Sequence, residues 1–116
     1  MSRSSTTIAE RPPAVGPVRR LRAHPGEVLR EELMKPLGLS ANALALALRV
    51  PATRIGAIIR ERRPRAVTAD TALRLSRYFA WPAEVWLNLQ TGYDRQVTED
   101  EMRTVLERIK PCAQAT

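Results

Sequence analysis

Arginine is the residue with chemistry to offer in this chain, and it is concentrated. Between residues 49 and 65 stand Arg49, Arg54, Arg60, Arg62, Arg63 and Arg65 against a single acidic residue, Glu61. A guanidinium stays charged, and its planar fork matches phosphate oxygens and the major-groove edge of guanine. The residues that catalysis would need are sparse. The chain holds one histidine, His24, and one cysteine, Cys112. Neither stands at catalytic or metal-ligand spacing from a partner, so no catalytic residue, metal ligand or cofactor site is read and an enzyme is the weakest reading. His24 reads as a structural or capping residue. A lone cysteine allows no disulfide framework within the chain.

The arginines need a scaffold, and residues 40–65, SANALALALRVPATRIGAIIRERRPR, supply one. Ser40 suits a helix N-cap, and Leu44 and Leu48 follow one turn apart. Ala45 leaves room for a second backbone to cross. Pro51 disfavours helical geometry at Val50 and lacks an amide donor, so the first helix ends near Arg49. A second helix over Ala52–Arg60 buries Ile55, Ile58 and Ile59 at i, i+3 and i+4 and turns Thr53, Gly56, Ala57 and Arg60 outward. Two short helices, a tight turn and a basic outer face make a helix-turn-helix, which places its second helix in a DNA major groove. An ordinary helical hairpin is the bland alternative.

The rest of the chain reads as one small domain with tails. The net charge of +7 is uneven, since residues 1–24 carry five arginines and one glutamate while residues 66–116 are close to neutral. A basic patch beside a near-neutral remainder suggests a polyanionic partner. Residues 1–23, rich in Ser, Thr, Arg and Pro, read as a flexible basic arm, with Arg19, Arg20 and Arg22 available to phosphates. Pro25 opens the first helix, Val28, Leu29 and Leu33 form its buried side, and Pro36 and Gly38 end it. Thr68 caps a helix with Asp70 in its first turn and Ala72, Leu75 and Phe79 inside, helped by Leu73. After Trp81-Pro82, a helix over about Ala83–Tyr93 carries Val85, Trp86, Leu87, Leu89 and Tyr93 around more than one face. So wide an apolar surface calls for a second partner. Thr98 to Glu101 has the T-x-x-E pattern of a capping box and opens a separate amphipathic helix, residues 98–110, with Met102, Val105, Leu106 and Ile109 in register. Residues 111–116 are a frayed tail. No apolar run approaches membrane-spanning length and no signal peptide is evident, so a cytoplasmic location without membrane contact is expected.

The apolar spacing over Ala41–Arg60, with Leu44, Leu48, Val50, Ile55 and Ile58 and the small Ala45, resembles the helix-turn-helix of the Cro/phage-repressor (Xre) superfamily. The usual turn glycine is Arg49 here. Beyond that, HPGEVLREELMKPLGLSANALALAL, VPATRI, VTADTALRLSRYF and WLNLQTGYD resemble the HigA, or VapI-type, addiction-module antitoxins from about His24 to Val97. The resemblance implies an all-α, five- to six-helix Cro/phage-repressor-like helix-turn-helix domain over residues 24–97 with a dimerisation helix. It also implies a homodimer on palindromic operator DNA, repression of its own operon, and neutralisation of a HigB-like RNase toxin that cuts messenger RNA. Gly56 and Ala57 stand where relatives often carry polar residues, and RERRPRA is longer and more basic than the usual loop, so the operator sequence does not transfer.

Carried onto this chain, the DNA-binding residues are Ser40, Asn42, Ala52, Thr53, Arg54, Gly56, Ala57, Arg60, Arg62, Arg63 and Arg65. Val85, Trp86, Leu89 and Tyr93 are expected at a two-fold interface. Glu99, Asp100, Glu101 and Glu107 offer an acidic face to a basic toxin. A stand-alone regulator of the same fold, without a toxin, is the alternative, and a protein-binding module with a vestigial helix-turn-helix is a further one.

Overall fold

The computed structural model describes residues 23–113. Residues 1–22 of the expected arm, including Arg19, Arg20 and Arg22, and residues 114–116 of the expected tail lie outside the described residues.

Six helices follow one another, with no strand among the described residues. The first, α1, is α-helical over Pro25–Val28, π-helical over Leu29–Met34 and α-helical again over Lys35–Leu37. His24 caps it, its Nδ1 accepting the Gly26 amide at 2.8 Å. Pro36 does not end this helix, contrary to expectation. It lacks a donor and crowds the preceding turn, and the wider π turn just before it absorbs both defects. The end comes at Gly38, in the left-handed region with φ 67°.

Then α2, Ala41–Leu48, starts on Ser40, whose Oγ accepts the Ala43 amide at 3.0 Å. It stops at Arg49, which adopts φ 62°, ψ 46°. The turn therefore keeps the left-handed geometry that glycine would take without strain, at a cost of about 1–2 kcal/mol for a residue with a Cβ. Arg49 and Val50 amides close the turn on the carbonyls of Leu46 and Ala45. α3, Ala52–Ile59, follows and buries Ile55 and Ile58 completely against Leu44, Leu48 and Leu29.

α4, Ala69–Phe79, has Thr68 at its N-cap position, without a side-chain capping bond, and buries Thr71, Ala72 and Leu75. Leu73, expected to help inside, is exposed. Ala80, again left-handed, and Pro82 turn the chain into α5, Ala83–Glu101. Here the expected division at residue 98 gives way. α5 runs straight through Thr98, because residues 93–97 contain no breaker and the Gln90–Asp94 and Gln96–Asp100 side-chain pairs bridge successive turns. The chain bends instead at Met102, φ −101°, before α6, Arg103–Arg108.

The core lies under the helix-turn-helix and is closed by α5. Trp86 is fully buried and stacks on Trp81 with ring centroids 5.1 Å apart, and Leu89 is likewise inside. The expectation that this helix has more apolar surface than one chain can cover fails at these two residues, since α4 and the Trp81 corner cover them. Buried Gln90 is satisfied, its Oε1 accepting the Val67 amide at 2.7 Å. Apolar surface does remain uncovered further along, at Val97, Met102, Val105, Leu106 and Ile109.

Candidate nucleic-acid interface

α3 turns one side into the core and the other outward. Thr53 is exposed, Ala52, Gly56 and Ala57 are half-buried, and a Cβ on Gly56 would meet nothing within 4 Å. This open, small-residue strip is bordered by arginines. Arg62, Arg63 and Arg65 are exposed on the loop after α3, which the Arg65 amide pins back to the Ala57 carbonyl at 2.8 Å. Ser40 and Asn42 stand exposed at the start of α2, with the Ser40 hydroxyl engaged in capping.

Two of the expected DNA contacts have work within the protein. Arg60 is not on the helix but just beyond it, in extended geometry, and its Nε donates to the Arg63 carbonyl at 3.0 Å. It braces a loop whose Arg63 is itself left-handed, φ 50°. Only its two terminal nitrogens are left for DNA among the described residues. Arg54 donates from Nη1 to Asp70 Oδ1 at 3.0 Å. The same carboxylate oxygen accepts from Arg74 Nε at 2.6 Å, and Arg74 Nη1 also reaches the carbonyls of Leu48, at 2.7 Å, and Arg49, at 3.3 Å. Hydrogen bonding from Arg74, and after it from Arg54, holds the Asp70 carboxyl below the ordinary value of an aspartate.

At the far end of α3, Arg30 Nη1 donates to the Ile59 carbonyl and Arg30 Nε pairs with Glu31 at 2.9 Å. Lys35 joins the same glutamate at 2.9 Å, and these two cations, Lys35 foremost, lower the Glu31 carboxyl. Gly26 of α1 lies so close to this end that a Cβ there would fall 1.9 Å from the Ile58 oxygen. Close by, the His24 ring stands edge to face against Tyr93, centroids 4.9 Å apart. Burial lowers its pKa against the pull of Asp94 and Glu27. Nδ1 accepts, so the proton of the neutral ring sits on Nε2, which has no partner among the described residues.

Arg30, Asp70 and Arg74 escaped the sequence reading as parts of this site. The i, i+4 spacing of Asp70 and Arg74 was a signal for their mutual pair, but nothing local points Arg74 at a turn 25 residues away. The expected interface residues divide. Trp86 and Leu89 are in the core, whereas Val85 and Tyr93 are partly exposed. Glu99, Asp100, Glu101 and Glu107 are all exposed, with Asp100 paired to Arg103 at 2.9 Å. No group of three or more His, Cys, Asp or Glu side chains among the described residues could hold a metal ion, and no described helix is long and apolar enough to cross a membrane.

No family model matches the chain. It is 56% identical over 82 residues to Virulence-associated protein I of Dichelobacter nodosus, covering 71% of this chain and 74% of that protein. A solved Pseudomonas aeruginosa antitoxin HigA, with the higBA promoter, superposes with a TM-score of 0.72 at 37% identity over 78% of this chain and 97% of that one. An addiction module antidote protein of the HigA family from Coxiella burnetii superposes with a TM-score of 0.71 at 40% identity, over 78% of this chain and 98% of that one.

Proposed function

This chain belongs to the HigA (VapI-type) family of helix-turn-helix antitoxins, and on that footing we propose that it binds operator DNA as a homodimer, represses its own operon in the cytoplasm and neutralises a HigB-like, messenger-RNA-cleaving toxin. The observation that carries the reading is the outer strip of α3, small-residued and uncovered, with arginines on its border. A small-residue strip lets a helix settle deep in a major groove. Thr53 and Ala57 then face base edges and thymine methyls, the terminal nitrogens of Arg60 reach a guanine, and Arg62, Arg63 and Arg65 meet phosphates with Ser40 and Asn42. Few side chains reach the bases, so DNA shape carries part of the specificity.

Dimerisation is supported by the uncovered strip of Val97, Met102, Val105, Leu106 and Ile109 rather than by Trp86 and Leu89. A symmetric pair joined there, with Tyr93 one turn before Val97 on the same helix, presents two copies of α3 to half-sites about 34 Å apart. The acidic residues of the same segment, Glu99, Asp100, Glu101 and Glu107, complement a basic toxin. The test is made with the neighbouring reading frame. Its expression alone should arrest growth, co-expression of this chain should relieve the arrest, and the two products should purify together. An adjacent product without effect on growth or affinity for this chain leaves a stand-alone regulator.

A further inference from the structure

An eight-residue helix is a poor instrument by itself. Its last carbonyls lack partners within the helix, and so short a helix is held in place by its neighbours more than by its own hydrogen bonds. In α3 the neighbours act at both ends. Before it, Arg74 of α4 donates to the carbonyls of Leu48 and Arg49, the two residues that lead into the turn, and its Nε holds Asp70, which in turn holds Arg54 in the second position after the helix start. Behind it, Arg30 of α1 donates to the Ile59 carbonyl, and Gly26 brings α1 against the Ile58 carbonyl. None of Arg30, Asp70 and Arg74 is on the outward strip of α3.

We infer that Arg74 with Asp70, at one end, and Arg30, at the other, are positioning residues for operator readout: they fix the height and rotation at which α3 enters the groove. This rests on the DNA-binding reading above and adds residues to it that touch no base. The chemistry suits the task. A guanidinium can donate to a carboxylate and a backbone carbonyl at once, which a lysine ammonium on a flexible stem does less rigidly. The contacts are directional, so they constrain rotation as well as distance. Base readout needs both, whereas a phosphate contact tolerates a shift, since the phosphates carry charge without sequence.

Asp70→Asn gives a test whose sign separates positioning from simple electrostatics. Removing an acidic charge beside the DNA-binding face should, by charge alone, tighten binding to every duplex. If Asp70 positions α3, affinity for the chain's own upstream duplex falls about tenfold, the size of one lost base contact, while affinity for a scrambled duplex holds or rises. Arg74→Lys preserves charge and should weaken the upstream duplex in the same way, with the salt slope on scrambled DNA unchanged. Arg30→Lys should do likewise from the other end. All are titrated well below their melting temperatures, with the active fraction counted by stoichiometric binding. Tighter binding of Asp70→Asn to both duplexes, or wild-type discrimination by both lysine variants, overturns the inference. Wild-type protein that fails to prefer its upstream duplex removes the DNA-binding reading itself, and the inference with it.

Discussion

Adding one methyl group at Gly26 or at Gly56 should move stability in opposite directions. At Gly26 the new Cβ would lie 1.9 Å from the Ile58 oxygen and 2.8 Å from its carbon. Ordinary carbon–oxygen contact begins near 3.3 Å, so α1 must withdraw by more than about 1 Å. That withdrawal pulls Arg30 from the Ile59 carbonyl and disturbs the His24 cap. The cost belongs at or above the upper end of the roughly 1–3 kcal/mol usual for overpacking. At Gly56 the Cβ meets nothing, and the residue is inside a helix, where alanine is favoured by about 0.5–1 kcal/mol. The two variants should thus differ by about 3.5 kcal/mol or more, with about 4–8 °C in Tm for each kcal/mol in a domain of this size. Thermal melts at one protein concentration measure it. A Gly26→Ala protein that melts at or above wild type, or a Gly56→Ala protein that melts several degrees below it, would refute the reasoning. Gly56→Leu extends the test to function. Its Cβ enters open space on the outer face of α3, and it should cost most of the affinity for operator DNA; unchanged affinity would show that this strip does not meet the duplex.

Other changes test single elements. Arg49→Gly relieves a left-handed backbone and keeps the carbonyl that Arg74 uses, so it should raise the unfolding free energy by up to about 1 kcal/mol, read as a higher urea midpoint at an unchanged m-value. Trp86→Ala should cost about 3–5 kcal/mol even at concentrations where the protein is monomeric, whereas a purely interfacial tryptophan would cost a monomer little. The lowered pKa of His24 means that the unfolded chain binds its proton first as pH falls. Stability is therefore whole above the unfolded value of about 6.5 and declines below it towards the folded pKa, while the lowered carboxyls of Asp70 and Glu31 act only in a more acid range, near and below about 4. His24→Gln should flatten the decline of Tm between about pH 6.5 and pH 5, and an identical slope in the variant would dismiss His24 as its source.

Features set by neighbours in sequence were legible. Ser40 caps its helix, Ile55 and Ile58 enter the core, and the turn bends at Arg49 in the geometry glycine would take. Each follows from a local preference for which a few residues suffice. The readings that failed needed something distant or a less common backbone. Pro36 looked like a stop because a regular α-helix cannot pass it, but a π turn can. Thr98 and Glu101 have the pattern of a helix start, yet nothing before them breaks the preceding helix, so they lie within it. The apolar surface of α5 reads as wider than one chain can cover because the cover of Trp86, Trp81, approaches only once the corner between α4 and α5 has formed. The bonds of Arg30 and Arg74 to backbone carbonyls are invisible to pattern altogether, since a carbonyl has no sequence.

The most direct measurement is a titration of the 116-residue chain against the duplex upstream of its own reading frame and against a scrambled duplex, at several salt concentrations. Expected are two protomers per site, affinity that falls steeply with salt on both duplexes, and a preference for the upstream duplex of about a thousandfold or more. Equal affinity for the two duplexes would contradict sequence-specific recognition by α3.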